Sequence, residues 1–366
     1  MIHKLVLILS AYVVSSAYSQ STQVVRWSVD GRHEAEIVSA GEQGVTLKLG
    51  NDDLPTIIPW YDLRELTNNQ VITSDWKKIN LDAWRAHARL NRGDYSGAAR
   101  LYQQLAQNYL WKVGPESADV AVGLSRTTLD RGDRVGAVLP FLGWSVALGT
   151  SNFEESSPVD GIDIQYGVLV DLPPIFVGDD FDTQLEPMPN GQTVSLRAKI
   201  LHAIYKLAHD ADSRTDEQLR DDLVSINSLV QQQGRRDPGV VFIVEMLNAV
   251  HHPDLQKRNA SRAALKRRVR TNPDSWIEVW ARLGIGASLI SEKDTKSNEL
   301  GAIELIHIVV RLAHESPALA LLSSQMVNEY LIKTNREQWG QSIMLQVKEN
   351  SMNSAVINEK ESKVHE

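Results

Sequence analysis

Leu90-Asn91-Arg92-Gly93-Asp94-Tyr95-Ser96-Gly97-Ala98 and Leu129-Asp130-Arg131-Gly132-Asp133-Arg134-Val135-Gly136-Ala137 spell one pattern twice, Leu-x-Arg-Gly-Asp-x-x-Gly-Ala. The copies are offset by 39 residues, Gly93 to Gly132. Amphipathic runs flank each copy, at 82–90 and 95–109 around the first and at 117–129 and 135–148 around the second. Their apolar residues recur with the period of a helix that buries one face. Each pattern therefore reads as the corner of a helix hairpin. Gly93 and Gly132 are expected to end a first helix with positive φ, where glycine has no Cβ to clash. Ala98 and Ala137 are expected to face the preceding helix, because a small residue lets two backbones approach. Repetition at this period marks stacked helix pairs, a solenoid-like arrangement.

On the C-terminal side, residues 151–193 break the helical pattern with Pro158, Pro173, Pro174, Pro187 and Pro189. Proline inside a helix removes a hydrogen bond and clashes with the preceding turn. Ile162 to Tyr166 alternate, and Val168-Leu169-Val170 is apolar, so part of this acidic insert is expected to pack down. Helices resume over 194–348, with breaks near Gly234, Pro253, Pro273, Lys293 and Pro317. Within them the stretch 201–210 echoes 306–315, at an offset of 105 from Leu201 to Ile306. The final stretch, 349–366, is polar and reads as a disordered tail.

On the N-terminal side, short alternating runs begin at Val24, Glu34, Val45 and Thr56, separated by turns at Asp30-Gly31, Gly41 to Gly44 and Gly50 to Asp53. They predict a small β barrel over 20–72. The fold class read from the whole chain is α+β, a small N-terminal barrel followed by all-α helix hairpins over 73–150 and 194–348.

Two resemblances bear on these segments. The opening Trp27, a Gly turn, Glu34-Ala35-Glu36, Val45-x-Leu47-x-Leu49 and Ile58-Pro59-x-x-x-Leu63 resemble the SLA-homology type of Src-homology-3-like barrel over some 45 residues. That likeness implies a peptide-binding or structural module. The hairpins resemble tetratricopeptide repeats, with Ala98 and Ala137 at the small position of the second helix and Tyr102 and Phe141 at its aromatic position. The first helices depart from that family: Arg85-Ala86 and Leu124-Ser125 stand where Leu-Gly is usual, and no proline closes either unit. The repeat resemblance implies an inner surface that includes His87, Asn91, Arg126 and Asp130.

Residues 1–19 carry a basic start, a short apolar run from Leu5 to Val14, and Ala17-Tyr18-Ser19, which together read as a signal peptide cleaved before Gln20. An apolar run of that length is too short to span a bilayer, so no integral membrane segment is expected after cleavage. The chain has no cysteine and a formal charge of −8. The first rules out disulfides, and the second argues against nucleic acid as a partner.

Several side-chain groupings could carry chemistry. His202 and His209 lie two turns apart, as do His307 and His314, too far to share one ion, and no His-Glu-x-x-His supports a metal site. Arg258, Arg262, Lys266 and Arg270 recur every four residues and form a basic helix face. Such a face either docks an acidic partner or is a solvated surface neutralised by the protein's own carboxylates, such as those of the insert. Asp171, Asp179, Asp180, Asp182 and Glu186 of the insert do not follow calcium-loop spacing and read as solvated acid. Trp84, Trp111, Trp144, Trp276 and Trp280 fall in helical period and read as packing. No nucleophile elbow, phosphate loop or dinucleotide fingerprint occurs, and no cofactor, metal or catalytic residue is assigned. The resulting expectation is an exported interaction or scaffold protein of the bacterial envelope, periplasmic or extracellular, that binds a protein or peptide partner. The rival is a hydrolase or sugar-active enzyme with the acidic insert as a lid.

Overall fold

The computed structural model describes residues 22–26, 31–49, 54–66, 72–149, 161–189, 194–233, 237–336 and 338–343 of the 366-residue chain. The expected signal segment, Gln20, Trp27 and the tail at 349–366 lie outside the described residues. The chain forms two compact units, Met1–Trp84 and Arg85–Glu366.

The first unit is a five-stranded antiparallel sheet: β1 Thr22–Arg26, β2 His33–Gly41, β3 Gly44–Leu49, β4 Thr56–Ile58 and β5 Leu63–Leu66. Strand order is β4-β3-β2-β1-β5. Alternation does its usual work, since Val24, Ala35, Val45 and Leu47 point inward and are buried. Gly44 has φ +136°, and a Cβ there would run into the carbonyl of Ile58, so the turn into β3 needs glycine. Trp60 is fully buried, donates from Nε1 to the Gly41 carbonyl at 3.0 Å and stacks on Trp76 at 5.7 Å. Helix α1, Ser74–Asn91, crosses the boundary between the units. Asn80, on its first half, donates to the Trp60 and Leu63 carbonyls at 2.9 and 2.6 Å.

The second unit holds α2 Tyr95–Tyr109, α3 Pro115–Asp130, α4 Arg134–Ala147, α5 Leu196–Asp210 and α6 Asp216–Gln232. It continues with α7 Pro238–His251, α8 Leu255–Thr271, α9 Trp276–Ile290, α10 Thr295–Arg311 and α11 Pro317–Lys333. Each of these helices packs on the next in sequence, and α5 with α7, α7 with α9 and α9 with α11 also touch. Contact mainly between chain neighbours is the pattern of a helical repeat. Starts are marked chemically: a side-chain oxygen of Asp94, Asp133, Ser195, Thr215, Asp237, Asp254, Ser275, Asp294 or Ser316 accepts a first-turn N–H of its helix. Gly93 and Gly132 have φ of 76° and 80° and close the preceding helices as expected.

The insert is part of this unit. Its described part forms a two-residue ladder, β6 Ile162–Asp163 with β7 Val168–Leu169, and a 3-10 turn over Gly178–Asp182. Val168, Leu169, Leu172, Ile175, Phe176 and Leu185 are buried in the same apolar cluster as the helices. Its backbone cannot satisfy itself, so helix side chains do so. Arg134 donates to the carbonyls of Asp171, Pro173 and Ile175, and Arg197 to those of Tyr166 and Gly167. Tyr205 and Trp280 donate to Leu172 and Val170.

Candidate functional site

Among the sequence candidates, the structure brings Arg126 and Asp130 together, one turn apart on α3 and both lining an open cleft of about 720 Å³. Leu129 lies between them. The other walls come from distant chain: Tyr95 and Arg134 at the starts of α2 and α4, Gly161, Leu169 and Asp171 of the insert, and the first turns of α11 from Pro317 to Gln325. Tyr95 and Arg134 occupy equivalent positions in the two copies of the 39-residue pattern.

Arg126 is held by Tyr95. Its guanidinium lies 5.7 Å from the Tyr95 ring centre and donates to the Tyr95 hydroxyl at 3.3 Å. Among the described residues no carboxylate forms an ion pair with it. Arg134, in contrast, is consumed by the insert carbonyls and lies 3.6 Å from Asp180. Burial lowers the Arg134 pKa, with Asp180 opposing. Asp171 accepts from the Ser316 hydroxyl, which also caps α11, at 2.6 Å. Asp130 is exposed at the rim, where desolvation raises its carboxyl above the ordinary value and Arg131 opposes. The apolar lining includes Leu129, Leu169, Pro317, Leu321 and Leu322.

The remaining candidates sit elsewhere. His87 pairs with Asp119 at 2.7 Å, and the Tyr102 hydroxyl donates to the other Asp119 oxygen at 3.1 Å, which ties α1, α2 and α3 together. Asn91 is exposed at the end of α1, and neither residue lines the cleft. On α8, Arg258 and Arg262 both donate to Glu292, at 3.1 and 2.8 Å, and Arg262 also reaches Ser288. The neutralising carboxylate is therefore Glu292, between α9 and α10, and not one from the insert. Burial raises the Glu292 pKa, but the hydrogen bonds from Arg258 and Arg262 outweigh it and hold it below its usual value. Lys266 and Arg270 are exposed.

The acidic insert corrects the expectation of uniformly solvated acid. Asp180 is largely buried beside Arg134, where it also accepts the Val177 N–H, and Asp171 is half-buried under Ser316. The irregular backbone draws Arg134 inward, and the carboxylates follow the cation. The histidines find separate partners: His202 the Glu186 carbonyl, His209 Asp210, His307 Glu278 and His314 Glu315. No group of three or more His, Asp or Glu among the described residues is placed to hold a metal ion.

No protein-family profile, curated protein or solved structure matches this chain. The cleft must therefore be read from its own chemistry. One guanidinium beside an apolar wall marks it, with Asp130 at the rim. The sequence pointed to Arg126 and Asp130 through the repeat but missed the wall from α11. That wall lies more than 180 residues away in sequence from Arg126, and no local pattern encodes such a meeting.

Proposed function

We propose that this chain is an exported interaction protein that binds a segment of a protein partner in the cleft between α3 and α11. The observation that carries this reading is the cleft itself, which joins two residues of the repeat's expected inner surface, Arg126 and Asp130, to an apolar wall. Its volume lies in the range of ordinary binding sites, and its lining sets leucines and Pro317 beside the charged Arg126, Asp130, Arg134 and Asp171. The contacts between successive helices support a solenoid built of helix pairs. Such stacks offer long surfaces for extended ligands.

The barrel reading of the first unit has its own support. Strands β4 and β5 stand at opposite edges of the sheet, yet only four residues separate them. Five peptide steps reach at most about 17 Å. Four strand spacings in a flat sheet need about 19 Å. A sheet so connected has to curl, which favours a Src-homology-3-like barrel. Export rests on the leader-like sequence alone; among the described residues no helix is long and apolar enough to cross a membrane.

Affinity capture from the native envelope fraction tests the reading, with wild type compared against the double variant Arg126→Glu, Leu321→Asp. A partner retained by wild type and lost by a folded double variant supports it. Capture of the same proteins in equal amounts by both would remove the cleft from the account.

A further inference from the structure

The ligand's chemistry can be narrowed, on an inference that rests on the cleft being the binding surface. Arg126 is the group to explain. A guanidinium is planar, permanently charged and shaped to meet a carboxylate with two parallel hydrogen bonds. Here it is half-buried and held before any ligand arrives, over the Tyr95 ring and hydrogen-bonded to its hydroxyl. The other buried or half-buried arginines described for this unit are matched within the protein, among them Arg134 by carbonyls, Arg197 by Asp237, Arg262 by Glu292, Arg268 by Glu245 and Arg282 by Glu278. Of the cleft's arginines, Arg126 is the one whose hydrogen-bond partner among the described residues is a neutral hydroxyl. A half-buried cation facing an open cleft gains most from an anion supplied from outside.

Two further features decide what carries that anion. Leu129 follows Arg126 on the same wall, and Leu321 and Leu322 stand on the α11 side, so apolar groups must sit beside the charge. Asp130 lies one turn beyond Arg126 at the exposed rim. Its charge repels an acid placed there and favours one placed at Arg126.

We infer that the cleft reads an acidic side chain, Asp or Glu, flanked by apolar residues in an extended partner segment. Arg126 receives the carboxylate, the leucines receive the apolar neighbours, and Asp130 fixes the register. Tyr95 is a positioning residue that holds the guanidinium in its plane.

The test is a positional-scanning library of random decapeptides, panned on the full mature chain. Wild type should enrich Asp or Glu next to Leu, Ile, Val or Phe, and the selected peptide should lose about tenfold or more in affinity when its acid becomes the amide. Arg126→Lys should keep the acidic preference with weaker binding, and Arg126→Glu should switch it to Lys or Arg. Asp130→Asn should tighten the acidic peptide and admit acids at a second register. Circular dichroism and the melting temperature confirm that each variant is folded. Peptides that bind the cleft with no preference for acid, or with one that Arg126→Glu leaves intact, overturn this inference while the binding reading stands. Enrichment of no sequence at all, or of sequences that bind Leu321→Asp equally well, overturns the binding reading as well.

Discussion

Gly97 and Gly136 have no side chain because the helix cap occupies their space. A Cβ at either would run into the carboxylate of Asp94 or Asp133, whose Oδ1 accepts the Gly97 or Gly136 N–H at 2.9 or 2.7 Å. The repeated Gly-Asp-x-x-Gly-Ala is thus one device: a left-handed glycine ends a helix, an aspartate starts the next, and a glycine makes room for it. Ala98 and Ala137 complete it, both with no exposed surface. Replacing either by Leu should overpack the joint and cost about 1–3 kcal/mol. Removing the second cap with Asp133→Ala should cost about 1 kcal/mol. Urea midpoints check both; Ala→Leu variants that unfold at the wild-type midpoint would mean these positions are not joints. At this scale the sequence was highly legible, since backbone geometry and burial at each corner act on adjacent residues and leave a local spelling.

Among the elements, helices were readable and the insert was not. Residues 95–109 appear in the sequence as the same run the structure forms, because period and ends are both local signals. The insert is held by Arg134, Arg197, Tyr205, Trp276 and Trp280, which come from three different helices, α4, α5 and α9. No periodicity announces such partners. The apolar Val168 and Leu169 hinted that the segment packs down, but its prolines hid how deeply. Helix α8 shows the same limit: spacing placed four cations on one face, while Glu292, 30 residues beyond Arg262, takes two of them. That arrangement has a pH signature. The folded pKa of Glu292 lies below its ordinary 4.5, so its stabilisation is present above that value and is lost as pH falls through the lowered one. Glu292→Gln should therefore melt below wild type at neutral pH, and the gap should shrink as pH falls from about 4.5 downward. A gap that stays constant over that window would show that the ion pairs do not act as described.

For the molecule as a whole, the α+β class and the change from sheet to helices were legible, because the period of apolar residues changes from two to near four after residue 72. The cleft was half legible. Equivalence under the 39-residue repeat links His87 with Arg126 and Asn91 with Asp130, yet only Arg126 and Asp130, both of the second copy, line the cleft. Closing the site takes α11, whose approach depends on how all the intervening helices stack. Export is a claim about the whole chain too, and the intact mass of protein recovered from the native source tests it. A mature chain beginning at or near Gln20 is expected; a chain that keeps residues 1–19 in the membrane pellet would contradict it.

The central claim is that the partner sits in the cleft, and a photo-crosslinking amino acid at Gln325, exposed on the cleft wall, tests it most directly. The control is the same group at Lys266, exposed on α8 and outside the lining. Irradiated in native cells, the Gln325 position should give a discrete protein adduct that Arg126→Glu removes, and the Lys266 position should not give it. An identical adduct from both positions, or one from Lys266 alone, would contradict the account.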